Sequence, residues 1–482
     1  MSSVYARLRI TDPARWRAAA LAWRRWAAIA GAFCAEFGPA AARLREVWSG
    51  PAADAAVARL GGFRRRMVLF RLFCWRADQA LSEFAAALGR ARTLLDRARS
   101  RAQQAGLRID ENGTVHGSGG ESVAADLAAA ISVAAQADDA AALRLARLTG
   151  DADPLAEPVR PSCTATPAEV RRWWAGLTAA ERNWVLACEP GSIAGTDGIP
   201  AADRDLANRL LLEQHRAFLD QHRAEAGRER REGLDELTAR LDDDAGPRAY
   251  LMGLDTAGDG RAVVALGDPD RAAHVLTHVP GMTSDLASLG GELTRAERVA
   301  VRAAELGPAE STSAVLWLDY DAPDFLHEAF SDRQARDGAA ELRRFQEGLR
   351  TTHEGPRADQ TLLGHSYGSL VVGEAASGER LEADRVVFVG SPGVGVDEAA
   401  ELTVPADRVW SSTSLTDPIQ YLAVRPGIGE LWFGENPSGP DFGARVFRSQ
   451  VDAGHLGYWD EGRPALDALT ALALGGEPPT RP

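Results

Sequence analysis

A chain of 482 residues, 45% hydrophobic and 25% charged, holds enough apolar material for roughly two to four packed domains and is too apolar to be disordered. No apolar run reaches the ~18 residues that span a bilayer, and Met1 to Asp12 lacks the apolar stretch of a secretory leader. These features predict a protein without transmembrane segments, cytoplasmic or exported without a classical signal peptide.

The net charge of −14 is unevenly distributed. Residues 1–105 carry 19 Arg against 7 Asp and Glu, a balance of +12, leaving −26 for the remainder. Opposite signs favour docking of the two parts on each other or binding of an acidic partner by the first. The arginines are spread around helices without interleaved exposed aromatics, which argues against nucleic acid. Four cysteines (Cys34, Cys74, Cys163, Cys188) are too scattered for a disulfide framework and lack zinc-ligand spacing.

From Pro13 to Val47, apolar residues recur at steps of three and four: Trp16, Ala19, Trp23, Trp26, Ala30, Phe33, Phe37, Ala40, Leu44 and Val47. Trp48-Ser49-Gly50-Pro51 interrupts the pattern, with Pro51 suited to the first turn of a new helix. A second series runs from Leu60 through Phe63, Met67, Phe70, Cys74, Ala77, Leu81, Phe84, Leu88, Ala91, Leu95 and Ala98 to Ala102. Two long helices joined by a short turn lie antiparallel, each burying its seam on the other as in a coiled coil; Pro39 and Gly61-Gly62 are the expected bends. This half resembles the WXG family of helical hairpins, small proteins handled by type VII secretion systems, with Trp48-Ser49-Gly50 at the turn. The resemblance implies a helical protein partner or a type VII secretion component. The family's Tyr-x-x-x-Asp/Glu export signal is missing after the second helix; Tyr320 and Asp324 have its spacing but lie far downstream.

Gly106 to His116 reads as a β-hairpin about the two-residue turn Asn112-Gly113, and Glu121 to Leu148 as an amphipathic helix completing a bundle over residues 1–149. Residues 150–247 read as linker and helical connector: a proline-rich stretch to Pro167, a short helix with Trp173-Trp174, a glycine-rich loop at Glu189 to Pro200, and a charged helix from Leu206 to Leu241. The loop is either a ligand site or a structural clasp.

From Arg248 the pattern changes to short β-rich runs. Tyr250 to Asp255 and Arg261 to Leu266 form an opening hairpin; His274 to Val279, Ala314 to Leu318, Gln360 to Leu363, Arg385 to Val389, Arg408 to Ser412 and Arg445 to Val451 follow. Helices are expected at Thr294 to Leu306, Ser331 to Thr351, Ser369 to Ser377 and Arg463 to Leu474. Such alternation predicts an α/β fold with a mostly parallel eight-stranded sheet over 248–482, covered on both faces.

Within it, Thr361-Leu-Leu-Gly-His-Ser-Tyr-Gly-Ser-Leu-Val-Val372 is a buried strand, a tight turn and a helix with Ser366 at the apex, the G-x-S-x-G nucleophile elbow. A serine hydroxyl needs a base, and the base an orienting acid. Of nine histidines only His455 follows Ser366, so in the chain order serine, acid, histidine it is the base. Asp417, in Ser414-Leu-Thr-Asp-Pro-Ile419 after the penultimate strand, is the expected acid, and Asp397 its rival. For the oxyanion hole the donors are the N–H groups of Tyr367 and Met282, with Gly281 as fallback and Pro280 excluded by its missing N–H. His365 reads as a packing or tuning residue. Residues 418–443, with Tyr421-Leu-Ala-Val and Leu431-Trp-Phe433, are either a lid or a packed loop. No metal or organic cofactor is required.

The elbow, Val279-Pro-Gly-Met282, Thr416-Asp-Pro418 and Gly454-His-Leu-Gly-Tyr-Trp-Asp460 together resemble a subgroup of α/β hydrolases of high-GC bacteria, as do Trp173-Trp174, Asp197 to Pro200 and Arg204 to Asn208. The resemblance implies a serine hydrolase, an esterase or lipase acting on a small-molecule or lipid ester through an acyl-enzyme. Thioesterase and peptidase activity share the same machinery. The competing expectation is a non-catalytic interaction or type VII secretion-associated protein that keeps the hydrolase fold as scaffold.

Overall fold

A computed structural model describes residues 4–148, 158–221, 228–325, 327–419 and 433–480. It divides into two compact units, one of residues 1–160 with 173–192, the other of 161–172 with 193–482. The stretch expected as a connector is therefore shared between them. No helix among the described residues is long and apolar enough to cross a membrane.

The first unit is helical: α1 (Val4–Ile10), α2 (Pro13–Val47), α3 (Pro51–Gln104) and α4 (Glu121–Ala146), with a two-stranded ribbon of β1 (Arg108–Ile109) and β2 (Val115–His116) before α4. Asp12 caps α2 through Ala14 N–H at 3.0 Å, ahead of Pro13 in the first turn, where its missing N–H costs nothing. Both long helices run unbroken through Pro39 and Gly61-Gly62. The α3 seam is buried from Cys74 to Ala102. It packs there against α2 and α4, and burying each large apolar side chain contributes about 1.5–3 kcal/mol.

Nearer the turn the expected seam is not covered: Trp26 and Phe33 are about half exposed, and Phe63 and Phe70 only somewhat less. The buried stripe of α2 is instead Ala20, Arg24, Ala27 and Ala30. Arg24 reaches the buried Asp78 at 3.1 Å, so a polar pair and small alanines form the buried centre of the interface, while Trp16 meets Phe84, Trp23 meets Phe73 and Phe37 stacks on Phe63 along its flanks. The ribbon also differs from expectation. Ile109 pairs with Val115 across a five-residue loop in which Asp110 Oδ1 accepts from the N–H groups of Asn112 and Thr114, an Asx arrangement and not a two-residue turn. Two shorter helices, α5 (Pro167–Gly176) and α6 (Ala179–Cys188), follow; Thr178 and Glu181 form a capping box at the start of α6.

Besides residues 167–172 of α5, the second unit holds α7 (Ala201–Gln221) and α8 (Arg228–Asp242), two helices where one was expected. An eight-stranded sheet follows: β3 (Ala249–Asp255), β4 (Arg261–Leu266), β5 (His274–Val279), β6 (Thr312–Leu318), β7 (Asp359–His365), β8 (Arg385–Val389), β9 (Val409–Ser412) and β10 (Arg445–Val446), in the order β10-β9-β8-β7-β5-β6-β4-β3. The pairings β3–β4 and β4–β6 are antiparallel and the rest parallel. β10 is two residues long, not seven, because its chain leaves the sheet edge after Val446 to build the loop carrying His455.

Between the strands run α9 (Leu289–Leu306), α10 (Arg333–Thr352), α11 (Tyr367–Ala376) and, after β10, α12 (Pro464–Ala473). Apolar residues of α10 and α11 share one cluster with one sheet face, and those of α9 and α12 pack on the other. The glycine-rich loop before α7 is a clasp: Asp197 pairs with Arg204 at 2.9 Å, Arg204 Nε donates to Met252 O at 2.7 Å, and Asn208 donates to Ala194 O and Leu251 O. β5 lies between β7 and β6, so the chain reverses its direction of travel across the sheet beside β5. Crevices form at the carboxyl ends of strands at such a switch point.

Candidate active site

Two non-glycine residues among those described have positive φ, Ser366 at 54° and Thr283 at 63°. A side chain there costs of order 1–3 kcal/mol and persists only where the surroundings hold it. One is the apex between β7 and α11; the other follows β5. Register pairs Val279 with Gly364, setting the β5 loop directly beside the elbow. A Cβ at Gly364 would stand 2.6 Å from Ser369 Cα, and one at Gly368 2.3 Å from Val279 O, so both glycines are required by close backbone approach.

Asp417 and His455 come from loops after β9 and β10. Those loops are stitched together: Ser414 Oγ donates to Val451 O at 2.9 Å, Thr416 Oγ1 to Val451 O at 2.9 Å, and Gly454 N–H to Thr416 Oγ1 at 3.0 Å. The result is a fully buried carboxylate with His455 Nδ1 at 2.9 and 3.0 Å from its two oxygens. Tyr458 Oη donates to Asp417 Oδ2 at 2.6 Å and Ile419 N–H to Oδ1 at 2.9 Å. Burial opposes ionisation of Asp417, but the hydrogen bonds from His455, Tyr458 and Ile419 outweigh it and hold the carboxyl below its ordinary range. An ionised acceptor at Nδ1 leaves the other ring nitrogen of His455 free to take a proton. Asp397, the rival acid, is exposed, its own backbone N–H bound to Glu401.

The His455 ring stacks at 4.7 Å and 35° on His365, the residue immediately before Ser366. Among the described residues no hydrogen bond joins Ser366 Oγ to His455; in resting hydrolytic sites this bond is commonly long and tightens when substrate is bound. Tyr367 N–H heads the first turn of α11, where helical N–H groups lack intrahelical partners. Neither it nor Met282 N–H carries a backbone hydrogen bond among the described residues. The Met282 loop is pinned on both sides: Tyr320 Oη donates to Pro280 O at 2.7 Å, and Thr283 N–H to Pro323 O at 2.8 Å. Of residues 418–443, the expected lid or loop, those numbered 420–432 lie outside the described residues; Phe433 is buried, edge-on to Tyr367.

Residues 255–425 match the family model described as alpha/beta hydrolase. This part of the chain is an α/β-hydrolase domain. An uncharacterized protein of Mycobacterium tuberculosis is 30% identical over 378 residues, covering 66% of this chain and 57% of the relative. An uncharacterized protein of Mycobacterium bovis is 34% identical over 185 residues, covering 36% of this chain and 69% of the relative. The chain thus spans little more than half the length of the first.

Two tyrosines of the hydrolase domain escaped the sequence reading. Tyr458 stands three residues after His455, a spacing that returns a side chain to the same side of a tight turn. Tyr320 follows β6 by two residues, and its spacing to Asp324, the only signal it carries in sequence, says nothing of this role. In the structure it is buried, stacked on Trp317 at 6.1 Å, and anchors Pro280.

His365 carries a pH signature. Burial, then the neighbouring His455, lower its pKa from 6.5 to about 3. Above pH 6.5 the ring is neutral in folded and unfolded chains alike. Below it the unfolded chain accepts a proton that the folded one refuses until pH about 3. Stability is therefore lost as pH falls through that window, at roughly 1.4 kcal/mol per unit from this group. Urea midpoints between pH 7 and 4 should fall less steeply in His365→Gln than in the wild type; equal slopes would contradict the assignment.

Proposed function

We propose that the protein is a serine hydrolase that cleaves a carboxylic ester, with Ser366 as nucleophile, His455 as general base and Asp417 as the acid that orients and steadies it. The observation that carries this reading is the pairing of the buried Asp417 with His455, whose ring packs against the residue that precedes a strained serine at a strand-to-helix apex. Ser366 Oγ attacks the carbonyl carbon while His455 Nε2 takes its proton. The carbonyl oxygen, now negative, is met by the N–H groups of Tyr367 and Met282, each worth about 3–4 kcal/mol in the transition state. Collapse of this adduct breaks the ester C–O bond, and His455 returns the proton to the departing alkoxide. Water, deprotonated by the same imidazole, then releases the acid from Ser366. The helical unit is assigned a docking or targeting role toward a helical partner or type VII secretion component, a reading supported by the exposed aromatic residues near its turn.

A fluorophosphonate probe should label Ser366 covalently in the wild type, not at all in Ser366→Ala, and far more slowly in His455→Ala. A chromogenic ester series of increasing acyl length then reports the substrate class. A folded wild-type protein that stays unlabelled would sink the enzyme reading and favour the scaffold alternative.

A further inference from the structure

We infer that His365 is a positioning residue that sets the His455 imidazole relative to Ser366, by donating its Nε2–H to the carbonyl oxygen of His455 itself. The inference rests on the serine-hydrolase reading above.

His365 ends β7, so its backbone leads directly into the nucleophile while its side chain, on the same face as Leu363, enters the cluster under α9 and α12. There Nε2 lies 2.9 Å from His455 O. A carbonyl only accepts, so Nε2 carries the proton and donates. One residue thereby links the end of the nucleophile strand to the backbone of the base, while its ring face supports the base's ring at 4.7 Å.

The ring is itself held. Trp459 stands edge-on to His365 at 4.9 Å and 89°, and edge-on to His278 at 5.3 Å. His278, at the end of β5, binds Glu292 at 3.0 Å, and Arg295 pairs with Glu292 while lying over Trp459. The titratable and charged groups around His365 are thus His278 from β5, Glu292 and Arg295 from α9, and His455 and Tyr458 from the loop before α12. Burial keeps His365 neutral among them, so it serves as a fixed donor without repelling the imidazolium that forms on His455.

Two variants separate positioning from packing. His365→Phe keeps the ring and removes the donor; His365→Gln places an amide N–H near the Nε2 position. Turnover is measured per Ser366 titrated with fluorophosphonate, so misfolded protein is not counted. The phenylalanine variant should lose about 10²-fold in kcat with KM nearly unchanged. The acid limb of its pH–rate profile should move, and glutamine should recover most of the loss. A purely structural residue would lower the fraction of titratable sites and the melting temperature while leaving turnover per site and the pH profile at wild-type values, and that result overturns the proposal. Imidazole ¹H–¹⁵N spectra give a readout independent of activity. His365 should appear as the non-titrating Nε2–H tautomer, and the His455 ring signals should shift in His365→Phe. Shifted His455 signals in a wild-type fold that the probe does not label keep the positioning role and reject only the hydrolase reading. Unshifted signals reject the positioning role.

Discussion

Asp417→Asn should abolish nearly all ester turnover, by about 10⁴-fold in kcat, while the protein remains folded. Among the described residues three donors converge on this carboxylate, from His455 Nδ1, Tyr458 Oη and Ile419 N–H. An asparagine offers one acceptor oxygen to the three and an NH₂ in place of the other. With Tyr458 and Ile419 competing for the oxygen, the NH₂ faces His455 and is satisfied only if Nδ1 gives up its proton. The single proton of the neutral imidazole then sits on Nε2, which has no lone pair to receive that of Ser366. The loss of charge also removes the stabilisation of the imidazolium. Steady-state kinetics on a chromogenic ester, with melting temperature as the folding control, decide the matter. A loss below about tenfold would reject Asp417 as the acid; Asp397→Asn, on an exposed turn, should leave turnover unchanged.

The second large effect is expected from one methyl group. In Gly281→Ala the new Cβ would lie 2.6 Å from Ser366 Cβ and 3.0 Å from both Ser366 Oγ and His365 O. Real Cβ atoms do not sit that close to other carbons, so something must shift. The loop has little freedom to do so, with Pro280 O bound by Tyr320 and Thr283 N–H by Pro323. Either Ser366 leaves its rotamer or the loop withdraws and takes Met282 N–H with it. The first misplaces the proposed nucleophile and the second the proposed oxyanion hole, where removal of one donor costs about 10²–10³-fold in kcat. The overpacking itself should cost about 1–3 kcal/mol of stability, which leaves a folded protein. Wild-type labelling rates and kcat in this variant would show that the β5 loop does not abut the reacting serine.

The order of elements and the types of chemical group were legible in the amino-acid sequence. Alternation of β-rich runs with helices forced a mostly parallel sheet, the elbow glycines marked where backbone must approach backbone, and a single histidine after Ser366 left one candidate for the proposed base. These are local or counting constraints, legible because strand period, helix period and turn chemistry act within a few residues. The two long helices were legible for the same reason, but not which stripe each buries. That depended on Arg24 meeting Asp78 from 54 residues away and on α4 arriving over the far half of α3.

Which of the two aspartates meets His455 was not legible in sequence: Asp417 does and the exposed Asp397 binds no histidine among the described residues, because the pairing depends on hydrogen bonds between two loops distant in sequence. Only the tertiary structure revealed Tyr458 under the acid, Tyr320 under the β5 loop and His365 against the base's backbone. Each of these works by reaching a main-chain or carboxylate oxygen brought near by sheet order. Periodicity records which face a residue takes, whereas the partner it meets there is fixed by how β5, β7 and the loops after β9 and β10 come together at the carboxyl ends of the strands.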